Sequence, residues 1–326
     1  MTASPHLSDD VHVPPSQSGA FRSRLIVAVG IILAFVGLAT ADATAFGGAA
    51  PAWWLVPAAV VLAQGAAAEL IRLVAARGLD IRTWLVQIGT VVIVLSPLLS
   101  QTVGQPVDGS AADHAAGVGP LGWTAVACVA VWGGLLLTEV ARYRRDNHGL
   151  ERFVAGMAIT CGLGLPLAFL VGLRLLGRDL AAADGRPAAG LTGMLPLVSL
   201  IAVVKAGDIA AYAVGSLLGR HRMAPLVSPG KTWEGAVASL AGSLLAAWLV
   251  FERIDWGTPA RPWGGWIEFG LLIGLAGMAG DLSESLVKRE LAAKDSGRTL
   301  GGLGGVLDLV DSLLLAAPLA WALWVA

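Results

Sequence analysis

Long apolar runs alternate with short polar connections along most of the chain. A run of about 18 or more apolar residues is long enough to cross the hydrocarbon core of a membrane as a helix. Nine segments fit this description, at roughly 25–42, 52–71, 83–99, 121–141, 153–173, 190–213, 235–251, 265–284 and 304–325. The pattern therefore predicts an all-α fold, a polytopic integral membrane helical bundle with about nine transmembrane helices.

The polar positions divide the chain into three parts. Residues 1–20 are polar and rich in Ser and Pro, which is typical of a flexible tail. Residues 21–190 hold the N-terminal transmembrane helices. Residues 191–326 hold a C-terminal transmembrane domain, in which most of the charged residues inside apolar runs occur and where we therefore expect the functional site.

The composition excludes a soluble enzyme. Hydrophobic residues make up 56% of the chain and charged residues only 14%, against about 25% charged residues in a typical soluble domain. The formal net charge of −1 provides no basic surface for nucleic acid, so we expect no such partner. Cys128 and Cys161 both lie in apolar runs, which predicts buried free thiols rather than a disulfide framework.

The basic residues predict the orientation of the chain in the membrane. Seventeen Lys and Arg residues flank the connections on one side, whereas only five flank the other side. Basic residues accumulate on the cytoplasmic side of membrane proteins. We therefore expect a multi-pass protein of the inner (plasma) membrane with its N-terminus in the cytoplasm.

Eight of the charged residues inside the predicted spans lie on the same predicted side of the membrane. Each costs about 2.5–3.5 kcal/mol on insertion scales, so each is a candidate functional residue. They are Glu69, Glu139, Lys205, Asp208, Asp281, Glu284, Asp308 and Asp311. All eight lie toward the predicted cytoplasmic ends of their spans. This one-sided depth favours a pocket open to the cytoplasm over an ion path across the membrane.

Some of these charges have a partner of opposite sign one helical turn away. The pairs are Glu69 with Arg72, Glu139 with Arg142, and Lys205 with Asp208. Asp281, Asp308 and Asp311 have few cations nearby and would repel one another unless a metal ion joined them. Oxygen ligands suit Mg²⁺, so we expect Mg²⁺ here, with Glu284 as a further ligand and room for a second cation. The scattered histidines argue against zinc.

The loop at Ser228–Gly235 can hold a phosphate. Pro229 and Gly230 predict a turn, and Thr232 is a candidate N-cap of the following helix. Lys231 would then lie beside a helix N-terminus, where free N–H groups and the helix dipole favour an anion. A plain interfacial loop is the alternative.

A second loop, residues 294–305, combines glycines with basic residues. Glycines allow the backbone to approach a ligand closely. Four cations lie in or just before this loop: Lys288, Arg289, Lys294 and Arg298. A flexible loop on the cytoplasmic side would explain the charges but not the glycines next to Asp308.

Four groups of residues together resemble a known family. They are Asp208, Tyr212 and Gly215; Ser228 to Gly235; Gly280, Asp281, Glu284 and Ser285; and Lys288, Arg289, Lys294, Asp295, Gly297, Gly304, Gly305, Asp308 and Asp311. Their order and spacing over about 205–312 resemble the phosphatidate cytidylyltransferases, also called CDP-diacylglycerol synthases. The chain departs from that pattern at Gly230, where the family has Lys, at Leu303, where it has His, and at Leu309, where it has Arg.

The resemblance implies a membrane nucleotidyltransferase that makes CDP-diacylglycerol and pyrophosphate from CTP and phosphatidate. It implies catalytic roles for Asp281, Asp308 and Lys231, and metal binding by Asp281, Asp308, Asp311 and Glu284. The implied substrate-binding residues are Ser228, Thr232, Glu234, Ser285, Lys288, Arg289, Lys294, Asp295 and Asp208. The expected site lies at the cytoplasmic surface of the lipid bilayer, because CTP is soluble and the lipid tails are not.

Three other functions stay open from the sequence. A CTP-dependent lipid kinase would use the same charges to transfer the γ-phosphate. A catalytically altered relative would fit the departures at Gly230, Leu303 and Leu309. An ion or solute transporter is disfavoured because no internal repeat is visible. The oligomeric state is open as well, a homodimer included.

Overall fold

The computed structural model describes residues 30, 33–42, 54–102, 119–143, 148–183, 191–293 and 304–326. Within these ranges eight helices are long and apolar enough to cross a membrane, and they correspond to the second to ninth predicted spans. This confirms the polytopic helical bundle. Of the first predicted span, the structure describes the helix Leu33–Asp42 and Gly30. The proposed tail, together with Lys294 and Asp295, lies outside the described residues.

Nine helices follow one another along the described part of the chain. They are α1 (Leu33–Asp42), α2 (Leu55–Ala76), α3 (Thr83–Leu95), α4 (Pro120–Ala141), α5 (Gly149–Ala183), α6 (Leu195–Leu218), α7 (Trp233–Trp248), α8 (Gly265–Glu290) and α9 (Leu307–Val325). Several of them are extended by irregular turns: Ser96–Leu98 and Leu99–Thr102 after α3, Leu191–Met194 before α6, and the π-helical turn Leu249–Arg253 after α7.

A small antiparallel hairpin joins α6 to α7. Strand β1 (Arg222–Ala224) pairs with strand β2 (Ser228–Thr232), and the turn lies between Ala224 and Ser228. The turn predicted at Pro229 and Gly230 is therefore wrong, because both residues lie inside β2. Proline has no N–H to donate, yet a strand of a two-stranded sheet has one unpaired edge, where a proline is tolerated.

Helix α9 contributes to two hydrophobic clusters. Its first turns, at Leu307 and Val310, pack with buried residues of α2 to α5. Farther along, Ala316 and Ala317 pack into the core formed mainly by α6, α7 and α8. Contacts on both sides thus hold α9 between the N-terminal and C-terminal helices.

Candidate active site

Gly280 lets α8 and α9 approach each other closely. A Cβ atom at Gly280 would lie only 2.5 Å from the carbonyl oxygen of Asp311, so a larger residue would force the two helices apart. Because Asp281 and Glu284 follow Gly280 on α8, this approach places both carboxylates beside Asp311 on α9.

Asp281, Glu284 and Asp311 form an acidic cluster. One carboxylate oxygen of each lies within 4.8 Å of those of the other two. Glu284 and Asp311 are only 5% and 8% exposed. Oε1 of Glu284 is buried and has no hydrogen-bond partner among the described residues. Clustered carboxylate oxygens with such an orphaned acceptor fit a hard divalent cation such as Mg²⁺.

Asp308 lies next to this cluster and is connected to it through Lys288. Nζ of Lys288 lies 2.6 Å from Oδ1 of Asp308 and 2.7 Å from Oε2 of Glu284. The backbone N–H of Gly305 donates a hydrogen bond of 2.5 Å to Oδ2 of Asp308. The structure thus groups Asp311, rather than Asp308, with Asp281 and Glu284, and it gives Asp308 a lysine partner.

Lys231 approaches the acidic cluster from the hairpin. Its Nζ atom lies 2.9 Å from Oδ1 of Asp281, and the lysine side chain is 20% exposed. Thr232 is the N-cap of α7, because its hydroxyl oxygen accepts a hydrogen bond of 3.1 Å from the backbone N–H of Gly235. The predicted cap is confirmed, and it directs the end of β2, with Lys231, toward α8.

A cavity of about 280 Å³ lies between α6, the hairpin, α7 and α8. Its wall combines charged, hydroxyl and apolar side chains: Asp208, Tyr212, Lys231, Thr232, Met278 and Asp281. Lys231 and Asp281 therefore line the cavity while they pair with each other. An anionic ligand that enters the cavity can reach the lysine.

A second polar group connects α6 to α9 beside this cavity. Nζ of Lys205 donates hydrogen bonds to Oδ2 of Asp208 at 3.0 Å and to Oγ of Ser312 at 2.9 Å. The hydroxyl of Ser312 donates to the same Asp208 oxygen at 3.0 Å. The predicted pairing of Lys205 with Asp208 is confirmed. Ser312 was missed by sequence reasoning, and its only signal there is its position directly after Asp311.

Negative charge exceeds positive charge at the site. In the described part of the chain, the five carboxylates of Asp208, Asp281, Glu284, Asp308 and Asp311 lie close to three lysines, Lys205, Lys231 and Lys288. When all eight groups are ionised, an excess of two negative charges is left, which is the charge that one divalent cation neutralises.

Four other predicted residues lie around this centre. Ser228 is the first residue of β2. Arg289 lies in the last turn of α8, and its Nε donates to the carbonyl of Val227 in the hairpin turn at 3.1 Å. Glu234 accepts hydrogen bonds from the backbone N–H of His221, and its Oε1 lies 2.6 Å from the ring Nδ1 of His221. Ser285 is partly buried on α8.

The two glutamates of the N-terminal helices behave differently. Glu139 pairs with Arg142 at 3.9 Å, as predicted, and more closely with Arg152 at 2.8 Å. Glu69 reaches beyond its own helix and accepts hydrogen bonds from the first backbone N–H groups of α9. Nothing in the sequence near Glu69 indicates this contact, because the two segments are more than 230 residues apart.

Comparison with known proteins identifies the family of the chain. A sequence profile of the cytidylyltransferase family matches residues 23–326. The chain therefore belongs to the cytidylyltransferase family. This match includes the N-terminal helices, whereas the motifs that resemble the family cover only about residues 205–312.

Individual relatives align mainly with part of the chain. A phosphatidate cytidylyltransferase from Brucella suis is 43% identical over 180 residues, which cover 52% of this chain and 62% of the relative. One from Synechocystis is 42% identical over 130 residues, covering 40% and 43%. An uncharacterized Escherichia coli protein, YnbB, is 39% identical over 126 residues, covering 39% and 41%. The chain thus spans less than two thirds of the length of these relatives.

Proposed function

We propose that this protein transfers the cytidylyl group of CTP to phosphatidate, forming CDP-diacylglycerol and pyrophosphate. The observation that carries the proposal is the cavity in which Lys231 faces Asp281 beside the acidic cluster. This open space, lined by a lysine and a cluster of carboxylates, suits a nucleoside triphosphate that binds together with a divalent cation. The family of the chain and the names of its relatives support the choice of reaction.

The reaction needs no nucleophile from the protein. An oxygen of the phosphatidate phosphate attacks the α-phosphorus of CTP and forms a new P–O bond. The bond from the α-phosphorus to the oxygen that bridges it to the β-phosphorus breaks, and pyrophosphate leaves with that oxygen. The protein must hold two polyanions in line and compensate their charge.

Lys231 would bind a phosphate of the nucleotide. In the structure its ammonium group pairs with Asp281 at the cavity wall. When a phosphate enters the cavity, Lys231 can exchange this carboxylate for a phosphate oxygen without moving far. Thr232 is the N-cap of α7, so Lys231 lies next to the positive end of the α7 dipole, which also favours a bound phosphate.

Asp281, Glu284 and Asp311 would hold a divalent cation. Such an ion supplies positive charge to the phosphate oxygens, which lowers the cost of bringing two anions together. Lys288 keeps Glu284 and Asp308 in place through its two ion pairs. Asp308 belongs to the same charged group. Lys288, Arg289 and Lys294 stay candidates for the lipid phosphate or the pyrophosphate, and Asp295 stays a candidate substrate-binding residue.

The site would lie at the cytoplasmic face of the inner membrane. The connections on the side of the hairpin carry most of the basic residues of the chain, and basic connections stay in the cytoplasm. CTP would reach the cavity from the cytoplasm, while phosphatidate would approach from the inner leaflet.

The test is product analysis with purified full-length protein, labelled CTP, Mg²⁺ and phosphatidate in mixed micelles. The expected products are a CMP-linked lipid and pyrophosphate. A phosphorylated lipid together with CDP would instead identify a CTP-dependent lipid kinase. Asp281→Asn, which removes one carboxylate charge at nearly constant size, should abolish turnover, and the exposed Asp80→Asn is the matched control.

A further inference from the structure

Glu69 connects the N-terminal helices to the helix that carries Asp308 and Asp311. It lies on α2 and its side chain is completely buried. Oε1 accepts a hydrogen bond from the backbone N–H of Val306, and Oε2 accepts one from the backbone N–H of Leu307, both at 3.0 Å. A single carboxylate thus binds two backbone N–H groups at the start of α9.

Packing at the same place reinforces these hydrogen bonds. One turn before Glu69, a Cβ atom at Gly65 would lie 2.9 Å from Cγ2 of Val306, so only glycine lets α2 come this close. Leu307 is 2% exposed and belongs to the hydrophobic cluster of the N-terminal helices. The first turn of α9 therefore rests on α2 through both polar and apolar contacts.

The electrostatics of this contact favour a carboxylate. The first N–H groups of a helix have no partner inside the helix and carry a partial positive charge. Free N–H groups at such a position would attract an anion. Because Glu69 occupies the N–H groups of Val306 and Leu307, substrate phosphates have no competing binding position there.

We propose that Glu69 is a positioning residue, which sets the place of α9 and thereby the place of Asp311 in the acidic cluster. Asp308 follows Leu307 directly, and Asp311 comes one turn later, beside Gly280. A displacement of the first turn of α9 moves both carboxylates relative to α8. This assigns a role in the reaction to the N-terminal helices, and the activity part of its test rests on the function proposed above.

The experiment compares wild-type protein with Glu69→Gln and Glu69→Ala. Glu69→Gln keeps the shape and one acceptor oxygen but turns its NH₂ group toward an N–H donor. Glu139→Gln is the matched control, because Glu139 is another poorly exposed glutamate of the N-terminal helices whose ion-pair partners lie on α5 and just after α4. Two kinds of measurement are made. The first is amide hydrogen exchange of the peptide 304–312, and the second is steady-state kinetics, which gives kcat, KM for CTP and the Mg²⁺ dependence of the activity.

We expect amide exchange in peptide 304–312 to accelerate about tenfold in Glu69→Gln and more in Glu69→Ala, since each lost hydrogen bond is worth roughly one factor of ten. Exchange in α6 to α8 should stay unchanged. We expect kcat to fall about tenfold or more. The Mg²⁺ concentration that gives half-maximal activity should rise. KM for CTP should change less than twofold, because Lys231 and the cavity wall lie on other elements.

Two results would overturn the proposal. Unchanged exchange in peptide 304–312 would show that Glu69 does not hold α9. Faster exchange in all helices, with kcat per folded molecule unchanged, would reduce Glu69 to a general stabilising residue. If the wild-type protein makes no CMP-linked lipid, the proposed reaction fails, while the exchange measurement still decides whether Glu69 holds α9.

Discussion

Lys231 and Asp281 come from different elements, β2 and α8, and meet at 2.9 Å on the wall of the cavity. The pair holds the Lys231 side chain in place between the hairpin and α8, because each charge compensates the other. It also places a cation where nucleotide phosphates would enter. This relationship leads to the first prediction.

Lys231→Ala should weaken the use of CTP much more than the use of phosphatidate. Loss of a charged hydrogen bond costs about 1.5–3 kcal/mol, which corresponds to roughly a tenfold to hundredfold loss in kcat/KM for CTP. Steady-state kinetics with each substrate varied in turn measures this. Arg222→Ala, at an exposed basic residue of the same hairpin, is the control. An unchanged CTP dependence would remove Lys231 from the nucleotide site.

Asp311→Asn and Asp308→Asn should differ in their response to Mg²⁺. Asp311 lies in the acidic cluster, whereas Asp308 pairs with Lys288. We expect Asp311→Asn to raise the Mg²⁺ concentration for half-maximal activity by about tenfold or more, because it removes a ligand, and Asp308→Asn to raise it less. Titration of activity with Mg²⁺ checks the order, and the opposite order would return Asp308 to the centre of the metal site.

Gly230→Lys should be tolerated and should lower KM for CTP. Gly230 lines the cavity, and no atom lies within 4 Å of the position that its Cβ would take. A lysine there restores the residue of the family pattern and adds positive charge near Lys231, so we expect a severalfold lower KM. Gly230→Ala adds the Cβ without the charge and serves as control. A higher KM in Gly230→Lys than in Gly230→Ala would contradict the prediction.

Gly280→Ala should destabilise the protein and impair activity. The added methyl group would lie 2.5 Å from the carbonyl oxygen of Asp311, so α8 and α9 must separate. Overpacking of this kind costs about 1–3 kcal/mol. Thermal unfolding in detergent and Mg²⁺-dependent activity measure the two effects. Gly133→Ala, where the new Cβ meets open space, is the matched control and should leave both nearly unchanged.

Much of the architecture follows from local properties of the sequence. Eight described helices coincide with predicted spans, since apolar length alone decides whether a segment can cross a membrane. The N-cap Thr232 and the pair Lys205–Asp208 were also predicted, because each depends on residues within one helical turn. The turn at Pro229 and Gly230 was predicted wrongly, because strand pairing with β1 outweighed their local preference.

The sequence by itself determined which residues bear charge inside apolar helices and near which end of each helix they lie. Which of these charges meet was decided by the tertiary structure. The approach of α8 and α9 at Gly280 selects Asp311 for the acidic cluster, Lys288 takes Asp308, and Glu69 reaches α9 across the bundle. Such contacts depend on helix packing between segments far apart in the chain, and periodicity along one helix carries no information about them.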